Sequence, residues 1–276
     1  MSLEIERETS SRISSDVPFL ASLWIIGGVY IILILSLLIA DASYSTPSHF
    51  LKALQSKEIR YAIKLSLISC TIAAILSLWV AIPIGYLMSR YNFRGKIFFD
   101  AILDIPIVLP PLVIGLSLLI LFQTPIGRAI ESKVTITYGI PAVILAQFMV
   151  ACAFAVRAMR VSFDQLDPRQ EQVALTLGCN RNQAFWLVVL PEVRHGILTA
   201  ATLAWSRSLG EFGPILIFAG ATRMRTEVLP TTVFLELSIG NIESAVAVSL
   251  LMVFAAVIVL IIVRIYGLKG AIKFHR

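Results

Sequence analysis

The stretch DPRQEQVALTLGCNRNQAFWLVVLP, residues 167–191, is a polar interruption in a chain that otherwise seeks lipid. It predicts two short helices joined at Gly178. Asp167 is a strong N-cap, Pro168 suits the first helical position, and Glu171 stands in the first turn, where the helix dipole favours an acid. Gly178 supplies the positive φ that ends a helix, and Asn180 can cap a second helix over 181–189, which Leu190 and Pro191 close. The expected product is a compact helix-turn-helix with Glu171, Ala174 and Gly178 on one side. It is too polar to insert and too ordered for a linker.

Composition sets the class of the remainder. Of the 276 residues, 58% are hydrophobic and 14% charged, with a mean hydropathy of +0.86; ordinary soluble domains carry about 25% charged residues. A soluble core cannot bury that much apolar surface, so the chain reads as an all-α, polytopic integral membrane protein. Its formal charge of +6 does not mark nucleic-acid binding, because the basic residues sit at the ends of apolar runs rather than on one face.

Crossing a hydrocarbon core of ~30 Å takes ~20 helical residues. Uncharged runs at 19–40, 65–88, 105–122, 138–156 and 244–263, with 197–221 carrying Arg207 and Glu211, predict six transmembrane helices. With flanking turns these occupy 19–40, 61–89, 97–123, 138–157, 197–221 and 241–263, and the loop 158–196 separates the fourth from the fifth. Residues 1–18 and 264–276 read as polar tails. The first lacks the basic start and cleavage site of a secretory signal and is expected to be disordered. Placing the N-terminus inside puts 14 Lys and Arg on cytoplasmic segments and 7 on external ones. That bias predicts both termini, and the 158–196 loop, in the cytoplasm.

The external connections, 41–60, 123–137 and 222–243, are too short for a ligand-binding domain, and no GxxxxGK[ST] phosphate loop is present. Solute capture and ATP hydrolysis therefore fall to other chains. Cys70, Cys152 and Cys179 make no disulfide framework, and His49, His195 and His275 are scattered. No catalytic constellation emerges, so no enzyme activity, cofactor or metal is expected of this chain.

The fifth span contains AWSRSLGEFGP. At 1.5 Å per residue from Ile197, Arg207 lies ~15 Å deep, near the midplane. A charge there costs on the order of 3 kcal/mol and must face protein or water. Glu211, at i+4, is within reach. Two roles stay open for Arg207, Ser208 and Glu211: a charge offered to a passing anion, or a salt bridge that fixes the helix or ties it to another span. The Arg-before-Glu order is the less favourable one for an intrahelical pair. Gly210, Gly213 and Pro214 permit close approach and a kink. In the third span Pro106, Pro110 and Pro111 remove amide donors and bend the helix, as a gate or as a static kink. Asp104 reads as an interfacial charge.

Ala174-x3-Gly178-x11-Leu190-Pro191, with Val188 at the usual isoleucine position, resembles the EAA loop of ABC-importer permease subunits. Gln172 stands where the common pattern has Glu, and Glu171 precedes it. The E-Q-x-A variant resembles the oxyanion-importing branch, so the resemblance assigns ATPase coupling to Glu171, Gln172, Ala174, Gly178, Leu190 and Pro191. SRSLGEFG is similar to the fifth-span signature of molybdate and tungstate permeases, and somewhat less to that of sulfate permeases. DIPIVLPPLVIG is similar to the L-P-x-V-L-P-P run of the same group. Taken together the likeness covers roughly residues 65–252.

It implies a type I ABC-importer permease fold with its core over 61–263, in the bacterial inner membrane. The implied partners are a second permease copy, cytoplasmic ATPase subunits holding ATP and Mg, and an external solute-binding protein delivering molybdate or tungstate. Arg207, Ser208 and Glu211 would belong to the pathway or pair within the membrane, and Pro106, Pro110, Pro111, Gly213 and Pro214 would form a gate or kink. A sulfate or thiosulfate permease is the near alternative. A secondary transporter or channel without an ATPase is the alternative of another class.

Overall fold

The computed structural model describes residues 17–44 and 47–272, so the expected tail is outside the described residues up to position 16. Every regular element among the described residues is helical. The chain divides into two units, Met1–Thr46 and Pro47–Arg276. The first contains α1 (Val17–Tyr44), which is apolar on all sides, the pattern of a helix surrounded by hydrocarbon.

The second unit begins with α2 (Pro47–Gln55) and α3 (Lys57–Arg90), separated by Ser56, whose side chain accepts from the Ile59 amide and caps α3. Then come α4 (Lys96–Val108), α5 (Pro111–Gln123), α6 (Pro125–Glu131) and α7 (Ile140–Asp164). After α8 (Pro168–Thr176), α9 (Arg181–Ala184) runs through a π turn, Phe185–Val189, into α10 (Leu190–Glu192). The unit closes with α11 (Arg194–Leu209), α12 (Gly213–Phe218), α13 (Leu229–Ser238) and α14 (Ile242–Ile272).

Its centre is the trio α3, α7 and α11. Their facing sides carry small residues: Ala62, Ser66, Ser69, Ala73, Ser77 and Ala81 on α3, Ala146, Ala151 and Ala155 on α7, and Ala200, Ala204 and Ser208 on α11, all buried. In lipid the hydrophobic effect does not favour one apolar surface over another, so helices associate through close backbone approach and dispersion, which small side chains allow. Large apolar side chains such as Ile75, Trp79 and Ile120 point outward.

Among the described residues four helices, α1, α3, α7 and α14, are long and apolar enough to cross a membrane, and the number reaches six if each of two bent helix pairs makes one span. Here the structure corrects the sequence reading. The third span, expected as one bent helix over 97–123, is two helices, α4 and α5, meeting at 110°. Leu109 and Pro110 each precede a proline, which pushes both out of the helical region, and both are extended, with ψ of 139° and 133°. Two consecutive extended residues make a break rather than a bend; Pro106 stays inside α4.

The fifth span is likewise interrupted. Expected as one helix over 197–221, it stops at Leu209, and α12 starts only at Gly213. The second bent pair joins 181–192, part of the 158–196 loop, to α11 at 70°. At the C-terminal end α14 continues helically to Ile272, into the stretch expected to be a tail.

Candidate functional site

The 167–191 segment folds from its own caps. Asp167 accepts from the Arg169 amide at 2.9 Å, with Pro168 following at the first helical position. Gly178 has φ +95°, where a side chain would be strained. Asn180 and Gln183 make a reciprocal capping box at 2.8 and 2.9 Å. The second helix is not closed by Leu190 and Pro191 as expected. The Leu190 amide reaches back five residues to the Phe185 carbonyl, giving a π turn, and the helix goes on to Glu192. Pro191 has no amide to donate and its ring crowds the carbonyl one turn back, and a widened turn accommodates both.

Glu171, Ala174 and Gly178 do not share one outward side. Glu171 and Ala174 turn inward and are buried, while Gln172, Gly178 and Pro191 are exposed and Leu190 is half-buried. The partners that draw Glu171 inward are on α3. The Tyr86 hydroxyl donates to its Oε1 at 2.5 Å, and Arg90 Nε lies 3.7 Å from Oε2, an ion pair without a hydrogen bond. Arg90 also donates to the Leu166 carbonyl at 3.0 Å, ahead of the hairpin. The Tyr86 ring packs edge-on against Phe163 of α7 and Phe185 of the π turn. Glu171 thus pins the hairpin to the end of α3. Among its exposed side chains, most of them polar, are four large apolar ones: Val173, Leu177, Trp186 and Leu187.

A second cluster surrounds the α11–α12 interruption. Arg207 NH1 lies 2.9 Å from Glu211 Oε2, and Glu211 is only 1% exposed. The pair spans the helix end, since the Glu211 amide donates to the Ser208 carbonyl past the Gly210 cap. The unfavourable residue order therefore matters less than it would in a regular helix. The Arg207 guanidinium lies 5.7 Å from the centre of the Phe154 ring on α7. Gln147 of α7 donates to the Ser208 carbonyl at 3.3 Å, which the Glu211 amide also reaches, and to Cys70 of α3 at 3.5 Å, tying the helix end to both neighbours. A Cβ on Gly213 would meet the Leu112 backbone nitrogen at 3.0 Å and Pro111 Cβ at 3.2 Å. The break in the third span thus abuts that in the fifth, with Pro110 and Pro111 on one side, Gly213 and Pro214 on the other.

Sequence reasoning missed Tyr86, Arg90, Gln147 and Arg157. Gln147 had a visible signal, being a lone carboxamide in an apolar run; Tyr86 and Arg90 had none, because their partner lies far along the chain. It also missed Glu227. This residue, in the connection between α12 and α13, is fully buried and neither carboxylate oxygen has a hydrogen-bond partner. Burial pushes its carboxyl above the ordinary range. Leu229, two residues on, donates to Ser66 near the start of α3, so this connection is at the opposite end of that helix from the Tyr86 and Arg90 pin. Asp104, expected as an interfacial charge, pairs with Arg157 of α7. Among the described residues no group of three His, Cys, Asp or Glu is placed to hold a metal ion.

Residues 81–268 match the family described as binding-protein-dependent transport system inner membrane component. The chain is 29% identical to the sulfate transport system permease protein CysT of Salmonella typhimurium, over 83% of its own length and 84% of that protein. It is 32% identical to the molybdenum transport system permease protein ModB of Mycobacterium bovis, over 72% of its length and 76% of that protein. Among solved structures, a chain of the bacterial alginate ABC transporter in complex with alginate pentasaccharide-bound periplasmic protein aligns with a TM-score of 0.72 at 17% identity. That alignment covers 90% of this chain and 93% of the other, and at this identity it speaks for the fold alone. The family match takes in the pinned hairpin, both helix breaks and the Arg207 cluster, and the chain belongs to the binding-protein-dependent transport system inner membrane components, the multi-pass permease subunits of ABC importers.

Proposed function

We propose that this permease carries a tetrahedral oxyanion inward, molybdate or tungstate in the first place, driven by ATPase subunits that bind its 167–191 hairpin on the cytoplasmic side. The observation that carries the reading is the hairpin's two-sidedness. Glu171 locks it to α3 and Ala174 is buried, while Val173, Leu177, Trp186 and Leu187 remain exposed on a segment too polar to enter lipid. Exposed apolar side chains on such an element fit a protein partner. ATP and Mg belong to that partner.

A push on the hairpin reaches α3 through Tyr86 and Arg90, and α3 shares its core with α7 and α11. Displacing α11 moves the Arg207 cluster and the two abutting breaks, which is where a packed bundle yields. The Lys and Arg bias supports the sidedness, with both termini inside. A second permease copy and an external binding protein complete the assembly, and Arg207 gives the passing anion a charge that Glu211 keeps from holding too tightly.

A sulfate permease is the second reading, favoured by a sulfate-transport relative that covers more of the chain than the molybdenum relative does. The test is ATP hydrolysis by the reconstituted complex of permease, ATPase and binding protein, titrated with molybdate, tungstate and sulfate. Stimulation by molybdate or tungstate at the lowest concentration supports the first reading, and stimulation by sulfate alone transfers the function to the second. Hydrolysis indifferent to all three excludes an oxyanion importer.

A further inference from the structure

Between α7 and α11, on the hairpin side of the Arg207 cluster, runs a groove of about 670 Å³. Phe154 and Leu203 line it, together with the polar side chains of Arg157, Ser162, Gln165, Glu192, His195 and Thr199. The same Phe154 ring lies under the Arg207 guanidinium. Arg157 stands one helical turn further along α7, so the next cation after Arg207 on this face is Arg157.

Arg157 is already engaged, but openly. Its Nε donates to Asp104 Oδ1 at 2.7 Å, its NH2 meets the other oxygen of the same carboxylate, and its NH1 lies 3.8 Å from Asp100. Its side chain is nevertheless 44% exposed. Arg160 pairs with Asp100 as well and lies 3.8 Å from Asp164. Both acceptors, Asp100 and Asp104, belong to α4. That helix has no buried residue, packs against α7, and is hinged at the extended pair Leu109 and Pro110. Leu103 packs it against the core, and the ion pairs to Arg157 and Arg160 supply the rest of its hold.

A tetrahedral dianion offers a guanidinium the same forked set of acceptor oxygens as a carboxylate, with twice the charge. We propose that Arg157 is an oxyanion-binding station on the hairpin side of the pathway, with Asp104 as its exchangeable counter-ion, so that arrival of the anion unlatches α4. The inference rests on the oxyanion-permease reading above. Exchange makes the station weak in a useful way: the anion must displace a carboxylate to stay, and the carboxylate displaces it again on release. Glu192 at the groove edge adds to the same bias.

The experiment uses the complex of permease, ATPase and binding protein in proteoliposomes and counts molybdate or sulfate ions taken up per ATP hydrolysed. Arg157→Gln should lower that ratio by about tenfold or more, and Arg157→Lys, which keeps the charge but loses the fork, should fall between Arg157→Gln and the wild type. The decisive variant is the swap Arg157→Asp with Asp104→Arg. It rebuilds the ion pair but turns an acid toward the groove, so it should transport as poorly as Arg157→Gln. Should the swap recover a ratio within about twofold of the wild type, the pair is a structural latch only and the station does not exist. Normal coupling in Arg157→Gln would dismiss it equally, and if that variant fails to insert, Arg157→Lys and the swap decide alone. A wild-type complex that hydrolyses ATP but imports neither anion overturns the substrate reading itself and the station with it, before any variant is made.

Discussion

Replacing Glu171 by alanine should release the hairpin from α3 without unfolding the bundle. A hydrogen bond to a charged acceptor contributes ~1.5–3 kcal/mol, and removing one partner of a buried pair costs ~3–5 kcal/mol because the other charge is stranded. The Glu171 and Arg90 side chains are 11% and 10% exposed, so the buried case applies, while Arg90 keeps its bond to the Leu166 carbonyl. A figure near the low end follows, ~3 kcal/mol, which shifts a local opening equilibrium by roughly two orders of magnitude. Tyr86→Phe deletes only the hydroxyl and should shift it by about tenfold. Hydrogen–deuterium exchange on the complex in nanodiscs reads this directly. Amides of α8 should exchange fastest in Glu171→Ala, next in Tyr86→Phe and slowest in the wild type, with α7 unchanged in all three. If α8 protection in Glu171→Ala stays within about twofold of wild type, aromatic packing around Phe185 holds the hairpin and the pin has no role.

Gly178→Pro should abolish oxyanion uptake while the protein remains in the membrane, because φ at this position is +95° and proline is fixed near −65°; normal uptake would exclude the coupling role. Within the Arg207 pair the two partners should not be equivalent. Arg207→Gln leaves a carboxylate that is 1% exposed without a counter-ion, whereas Glu211→Gln leaves a cation whose side chain is 32% exposed and can reach water. Thermal unfolding in detergent should therefore fall further for Arg207→Gln, by an extra ~1 kcal/mol or more, and the opposite order would refute the assigned burial. Glu227 gives a pH signature. Its folded carboxyl titrates above its unfolded value, so its stabilising contribution is complete below the ordinary carboxylate range and is lost as pH rises through the folded value. Melting temperature should decline over that window in the wild type and be flatter in Glu227→Gln; parallel curves would show that burial does not raise its carboxyl.

What could be read from the chain was local. Asp167, Pro168, Gly178 and Asn180 act within three residues of themselves, so the hairpin's caps were visible in the sequence. The apolar runs announced the helices because lipid imposes a length. The face of the hairpin was not legible, since Glu171 turns inward for Tyr86 and Arg90, which are far away in sequence and look like ordinary end-of-span residues. The prolines signalled a bend, but its size came from two successive pre-proline residues both becoming extended. Arg207 and Glu211 were read as a pair within reach, yet the helix end between them at Gly210 was hidden, because nothing in SLGEFG distinguishes a kink from a stop. Glu227 lies in a stretch of charged and hydroxyl residues that reads as an exposed loop, yet it is fully buried in the connection whose Leu229 amide is bonded to Ser66 of α3.

The contact between the two helix breaks limits how this protein can be recombined with its relatives. Gly213 sits against the backbone of Leu112, so a segment carrying one break has been shaped by the other. A chimera that imports 105–123 from a sulfate permease but keeps the native 207–218 joins two halves of different fittings. Crossover points that transfer both segments together should yield inserted, working hybrids far more often than those that divide them, which makes this pair a unit of inheritance as well as of structure.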